Sequence, residues 1–193
     1  MADTRERMIN AAVVALQRHG VSGMSFTQIL ADSGAARGAI YHHFPGGKYQ
    51  LVAEAAERNG QDVCAHLGSL PADTPVGVVE AFLSAIRPVL AASAAGTSCA
   101  VAAIAMSADH AESDGDHPLR QIAADAFDSW AGALTDRLVE VGLPPQDAMD
   151  LAITLVTLLQ GAHVQCRAAG RLEPFERAAR VVQALVRSHY PDR

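Results

Sequence analysis

Cysteine is scarce in this chain, with Cys64, Cys99 and Cys166 far apart and no C-x-x-C among them. An odd number at those spacings excludes a disulfide framework and a zinc site. What remains is three small core side chains or a thiol redox sensor without supporting spacing. Aromatic residues make up 5% of the sequence, and strand formers are not clustered. A β-sandwich is therefore disfavoured, and frequent alanine points to close-packed helices. No apolar run approaches the roughly 20 residues of a bilayer span, and the N-terminus MADTRERMIN lacks the apolar core of a secretory signal. A cytoplasmic protein is expected. Catalytic signatures are missing as well: no G-x-S-x-G, no H-E-x-x-H, no Walker loop and no dinucleotide glycine pattern. Thr97-Ser98-Cys99 has no histidine at a diagnostic spacing. Neither an enzyme nor a bound cofactor is expected. The acidic stretch 109–117 lacks calcium-loop spacing and its closing glutamate, so it reads as a solvated loop. His42 and His43 are adjacent, and adjacent helical side chains diverge by about 100°, which makes a poor metal pair.

An excess of positive charge is also absent. The net charge of −6 excludes a protein that coats nucleic acid through bulk charge. Its distribution says more. Residues 1–60 carry six Arg/Lys against five Asp/Glu, while residues 61–193 carry nine against sixteen. Any nucleic-acid contact must come from a few placed groups in a near-neutral head.

Half of the 193 residues are hydrophobic, enough for one large domain or a small head on a larger body. The spacing predicts a first helix over 3–19, with Asp3 and Glu6 as a capping pair, Ile9, Ala12, Val13 and Leu16 as its apolar stripe, and Gly20 as C-cap. Ser25 and Gln28 form a second capping box that starts helix 2, where Ile29 and Leu30 point inward. Gly34 supplies the positive φ of a sharp turn. Helix 3 is predicted over 36–43, with Ile40 and Phe44 on its buried side, and Pro45-Gly46-Gly47 stops it. Lys48 then opens helix 4, which continues through Leu51, Val52, Ala55 and Ala56 to Leu67. Past a loop at 70–75, helix 5 is predicted over 76–92, with Pro88 as a kink or stop. A short, nearly all-apolar helix over 99–108 should be buried on most sides. Pro118 starts helix 7, ended by Gly142. Helix 8, over 146–169, carries Leu151, Leu155, Leu158, Leu159 and Ala162 on one side and Ile153, Val156 and Val164 on others, so it should be covered on two sides. Glu173-Pro174 starts the last helix, with Phe175, Ala178, Ala179, Val182, Leu185 and Val186 as its stripe.

Three short helices with a glycine turn between the second and third make a helix-turn-helix. Its second helix lies in the major groove with its N-terminal residues at base edges. Ala36, Arg37 and Gly38 hold those positions. Arg37 is the one cation there, and guanine O6/N7 is its bidentate partner; Gly38 lets the backbone approach closely. Tyr41 and His42, one turn on, can reach a phosphate, as can Ser25 and Thr27 at the start of helix 2. Lys48, the only lysine in the chain, sits at the start of helix 4, where a cation opposes the macrodipole and an anion such as phosphate relieves it. Ser25, Thr27, Ala36, Arg37, Gly38, Tyr41, His42 and Lys48 are therefore the candidate DNA contacts.

The segment ARGAIYHHFPGGKYQL, residues 36–51, resembles the end of the TetR/AcrR-type DNA-binding domain, and its GGK-x-QLV form is similar to the LmrA/YxaF-like branch. The likeness extends over about residues 4–65 and, less specifically, over the body, with SCAVAAIA, PLRQIAADAFDSWAGAL and the long apolar helix 8. The resemblance implies an all-α protein: a DNA-binding head over 1–48, a connecting helix at about 48–67, and a ligand-binding and dimerisation body over 68–193. It implies a homodimer that binds an operator palindrome and releases it when a small molecule occupies the body. It further implies that the last two helices of each subunit pair, for which Leu158, Ala162, Gln165, Phe175, Val182 and Leu185 are the candidates. The expected pocket is largely apolar, suits a hydrophobic effector and is lined by Phe82, Ile86, Cys99, Met106, Phe127, Trp130, Leu155, Leu159 and His163. His163 and Gln160, polar on an otherwise apolar helix, are either interface hydrogen-bonders or polar anchors of the ligand. Two departures stand out: Ala36 replaces the usual Ser or Thr before the recognition arginine, and Tyr49 replaces the common acidic residue after the lysine. A helical interaction scaffold, or a thiol redox sensor with no effector, is the alternative function.

Overall fold

The computed structural model describes residues 3–107 and 118–190. Among them every regular element is a helix: α1 (Thr4–Gly23), α2 (Phe26–Ser33), α3 (Ala39–His43), α4 (Gly47–Gly68), α5 (Pro75–Ala94), α6 (Ala100–Ser107), α7 (Pro118–Glu140), α8 (Pro145–Ala169) and α9 (Glu173–His189). The acidic stretch expected as a solvated loop lies outside the described residues. The chain divides into two compact units, Met1–Asp62 with Ser98–Ala126, and Val63–Thr97 with Phe127–Arg193.

In the first unit α1 buries Met8, Ile9, Ala12, Ala15 and Leu16 and packs on α2 and α6. Its regular part ends at Gly20, whose φ of 64° no β-carbon-bearing residue adopts cheaply. The two expected capping boxes do not form. Asp3 and Ser25 occupy N-cap positions, but neither side chain bonds the helix. Glu6 instead accepts from Arg58 at 3.2 Å, and the Gln28 amide donates to Asp32 at 2.7 Å. Charged and amide partners elsewhere win over the local cap. Ser98 fixes the start of α6: its N–H and hydroxyl both donate to the Gln17 carbonyl, at 2.8 and 3.1 Å. Contrary to the expectation for a nearly all-apolar helix, α6 buries only one face, Ala100, Val101 and Ile104, and leaves Met106 79% exposed.

In the second unit α5 packs on α8 and α9, and α8 on α9. Thr74 caps α5, its hydroxyl accepting from Gly77 N–H at 3.1 Å. Pro88 neither ends nor interrupts α5; it is exposed, so water can take the carbonyl it leaves unpaired. By length and composition α5 is apolar enough to cross a membrane, contrary to the reading of the sequence. It is a core helix: Val76, Val78, Val79, Phe82, Leu83, Ile86 and Leu90 are buried. Its charged residues pair with α9, Arg87 with Glu176 at 2.5 Å and Glu80 with Arg187. Arg137 pins the preceding loop by donating to the Leu70 and Ala72 carbonyls at 3.2 and 2.9 Å.

The helix apolar nearly all round, α8, is covered on one side only. Ala148, Ala152, Leu155, Val156, Leu159, Ala162, His163 and Cys166 are buried, while Met149, Ile153 and Val164 are exposed. On α9, Phe175 and Val186 are buried, and Val181 and Leu185 are exposed.

Candidate nucleic-acid interface

The first unit supplies a rigid seat for the candidate DNA contacts. Ile29 of α2, Ile40 of α3, Phe44 and Leu51 of α4 have at most 2% of their surface exposed. Burying four such side chains stabilises the seat by about 1.5–3 kcal/mol each. Between α2 and α3, Gly34 takes φ 64° and ψ 25°, and its N–H closes α2 on the Leu30 and Ala31 carbonyls. This left-handed residue makes the turn sharp enough for a helix-turn-helix.

Helix α3 begins at Ala39, three residues later than predicted. The segment 36–38 is a turn, closed by Ala39 N–H to the Ala36 carbonyl at 2.9 Å. Two residue choices explain the delay. Ala36 has no side-chain acceptor to cap a first helical turn, and Gly38 is a poor helix former. Ala36, Arg37 and Gly38 are exposed together at the N-terminal end of α3. A β-carbon on Gly38 would meet open space, so no packing within the head demands glycine there. Close approach of something from outside is a sufficient reason.

Tyr41 is 68% exposed. Its ring meets Phe26 edge-on with centroids 6.4 Å apart, which fixes the ring and leaves it on the surface. His42, Ser25 and Thr27 are exposed as well. Lys48 is half-buried at the start of α4, beyond a turn in which Gly47 takes φ 70°. Gly47 N–H donates to the Phe44 carbonyl at 2.9 Å. The eight candidates thus fall on α2 and its N-cap, the turn before α3, α3 and the first turn of α4, all in one compact unit.

Elsewhere the expected residues are distributed as follows. Phe82, Ile86, Trp130, Leu155, Leu159 and His163 are buried in the second unit, with Phe127 half-buried and edge-on to Trp130 at 5.3 Å. Cys99 and Met106 belong to the first unit, Cys99 buried and Met106 open. His163 is no surface hydrogen-bonder: its Nδ1 lies 2.7 Å from the Ser93 hydroxyl, and both residues are buried. Burial without a charge partner lowers its pKa to about 4. Among the pairing candidates, Leu158 and Val182 are half-buried and Gln165 and Leu185 exposed. Ala162 and Phe175 are already buried in the chain's own core and have no surface to give a partner. On α8 and α9 the exposed large apolar residues outside that set of candidates are Met149, Ile153, Val164 and Val181. For the three on α8 the signal is its all-round apolar character, which announces a second face without saying which side it is.

Comparison with known proteins agrees with this geometry. Residues 8–55 match the bacterial regulatory proteins of the tetR family, and residues 75–181 match the C-terminal domain of LmrA/YxaF-like transcriptional regulators. The HTH-type transcriptional regulator Rv0196 of Mycobacterium tuberculosis is 30% identical over 194 residues, covering 100% of this chain and 99% of its own. The HTH-type transcriptional regulator LmrA of Bacillus subtilis is 27% identical over 161 residues, covering 82% of this chain and 84% of its own. Among solved structures, a TetR transcriptional regulator from Legionella pneumophila superposes with a TM-score of 0.79 at 19% identity, covering 98% of each chain. With a helix-turn-helix head and both halves matched, this chain belongs to the TetR family of bacterial transcriptional regulators, in its LmrA/YxaF-like branch.

Proposed function

We propose that this DNA-binding regulator is a ligand-released repressor that grips a palindromic operator as a homodimer in the cytoplasm. The observation that carries the DNA reading is the joint exposure of Arg37, Gly38, Tyr41 and His42 on one head, with the half-buried Lys48 at the start of α4 in the same unit. Arg37 reads a base edge. Ser25, Thr27, Tyr41, His42 and Lys48 hold phosphates, and Ala36 and Gly38 let the backbone come close. The head covers residues 1–48, α4 leads out of it, and residues 68–193 form the ligand-binding and dimerisation body.

A second copy of this chain is the partner that the open face of α8 and α9 fits. Met149, Ile153 and Val164 on α8 and Val181 and Leu185 on α9 are exposed apolar side chains, joined by the half-buried Leu158 and Val182. Gly161 lies exposed on α8, and a β-carbon there would meet nothing. A helix packed against α8 at that point can come close. A self-complementary apolar face of two helices gives a four-helix interface with two-fold symmetry.

The effector is a small hydrophobic molecule taken up by the second unit, in which Phe82, Ile86, Trp130, Leu155, Leu159 and His163 are all buried. Its occupancy is felt at the head through α4, whose residues belong to both units.

The test is selection of bound duplexes from a random pool, followed by gel shift with the recovered site. Arg37→Ala should cost about 1–3 kcal/mol and relax the sequence preference at one position per half-site. Lys48→Ala should weaken all sequences alike and lower the salt slope. Recovery of no common site, or unchanged binding by both variants, overturns the reading.

A further inference from the structure

The only lysine of the chain follows two glycines, and glycine pairs lose more conformational freedom on ordering than any other pair. A cation presented from such a turn would be poorly aimed unless something outside the turn held it. In this head something does. Gly46 N–H donates to Gln50 Oε1 at 2.8 Å. Gln50 Nε2 donates to Glu54 Oε1 at 2.9 Å. The other oxygen of Glu54 accepts from Arg5 Nη2, and the Arg5 guanidinium lies 5.3 Å from the centre of the Phe44 ring.

The order of this chain of bonds is forced. A carboxylate only accepts, so Gln50 must turn its NH₂ to Glu54. Its carbonyl oxygen then faces Gly46 N–H, which only donates. Glu54 therefore fixes which way the Gln50 amide points, and Gln50 fixes the turn. The fit is close: a β-carbon at Gly46 would lie 3.1 Å from both Cβ and Oε1 of Gln50. On the other side of the turn, Gly47 N–H is held by the carbonyl of Phe44, itself fully buried. The glycine turn is clamped from both ends. The chain of bonds also explains how the head dispenses with an acidic residue after its lysine. The reach-back to the helix start that a carboxylate at position 49 would make is made by the neutral Gln50, and Tyr49 adds no negative charge beside Lys48.

We propose that Gln50, oriented by Glu54 and Arg5, is a positioning residue that holds the Gly46-Gly47 turn so that Lys48 meets a DNA phosphate. The inference rests on the DNA-binding reading above and adds residues that do not themselves touch DNA. Gln50 acts through Lys48, so its removal and the removal of Lys48 must not add.

The experiment is fluorescence anisotropy of the full-length protein on the duplex recovered by selection, across a salt series, for wild type, Gln50→Ala, Glu54→Ala, Arg5→Lys, Lys48→Ala and Gln50→Ala/Lys48→Ala. Thermal melts of each verify folding. Gln50→Ala should weaken binding about five-fold per head, the effect of one lost hydrogen bond, hence about 25-fold when both heads engage. Its slope of log affinity against log salt should fall towards that of Lys48→Ala. Glu54→Ala should behave like Gln50→Ala, and Arg5→Lys, which keeps a cation on Glu54, should bind within two-fold of wild type (about 0.4 kcal/mol). The double variant should bind no worse than Lys48→Ala alone. Independent, additive losses would reduce Gln50 to a general stabiliser and overturn the proposal, as would wild-type binding by a folded Gln50→Ala. A wild-type protein that binds no duplex removes the DNA reading and this inference together, whereas a duplex-binding wild type with an indifferent Gln50 removes only the inference.

Discussion

Lowering the pH from 7 to 5 should destabilise the second unit through a single histidine. Ser93 donates its hydroxyl proton to the Val89 carbonyl at 3.1 Å. The 2.7 Å contact between that hydroxyl and His163 Nδ1 therefore requires Nδ1 to carry the proton and donate. The neutral imidazole is satisfied on that side. Protonation would place a second N–H, and a full charge, in a site only 6% exposed. This is why burial lowers the pKa from 6.5 to about 4. The unfolded chain keeps the higher value. Between pH 6.5 and 4 the unfolded state thus binds the proton and the folded state does not, so stability falls as the pH drops through that window and levels off below it. Linkage gives a loss of about 2 kcal/mol between pH 7 and 5, and about 3 kcal/mol for the whole shift.

The perturbation that isolates this effect is His163→Asn. Its amide can supply the donor to Ser93, and it does not titrate. Thermal melts at pH 7 and 5 should show the wild type losing about 4–8 °C more than the variant. Glu173 does not confuse the comparison. Arg177 bonds its carboxylate and holds its pKa below the usual range, so whatever stability it contributes is lost only below about pH 4.5. Equal losses in wild type and variant would refute the reasoning, because the buried imidazole would then not be the group that titrates.

Two further outcomes follow from the same geometry. Ile153→Asp with Val164→Asp should turn a dimer into a monomer in analytical ultracentrifugation, while Ala162→Asp, placed in the chain's own core, should unfold it; a dimer that survives the first pair is not held by this face. Operator DNA and effector should weaken each other by the same factor, about 5–150-fold for a coupling of about 1–3 kcal/mol, and calorimetry showing equal effector affinity with and without DNA would remove the ligand switch.

Most helix boundaries were legible because apolar periodicity, proline at first turns and glycine at ends agree along this chain. Gly20 and Gly34 take the positive φ their positions demanded. Where the reading failed, a distant or missing partner decided the outcome. Glu6 has the spacing of a local cap, but Arg58, 52 residues away, takes it at 3.2 Å. Helical spacing continues through 36–38 and predicts α3 from residue 36, but nothing there can cap a helix and α3 starts at Ala39. On α8, composition announced two apolar faces, but which one faces its own chain depends on where α5 and α9 pack. For that reason Ala162, expected at a partner, is buried in its own chain, and Ile153 is exposed.

The charge of the head explains why a single copy should bind poorly. Six basic side chains lie in residues 1–60. Two of them are occupied internally: Arg5 pairs with Glu54, and Arg58 with Glu6 and Asp62. Among the described residues the other four, Arg7, Arg18, Arg37 and Lys48, make no ion pair, and of these only Arg37 and Lys48 belong to the candidate interface. With two such cations a head releases about two counterions, which corresponds to a log–log salt slope of about −2. Non-specific binding at that level is weak, and the acidic remainder of the chain opposes it. Joining two heads changes the balance without adding any contact to either. Once one half-site is held, the second sees an effective concentration set by the dimer, and affinity rises by orders of magnitude if the spacing of the heads matches the half-sites. The same dependence makes spacing the natural point of control, because a small mismatch forfeits the second half-site. A slope near −4 for the dimer, halved in a monomerised variant, would be the signature of this arrangement; a slope near −10 would mean that cations outside the head carry the affinity.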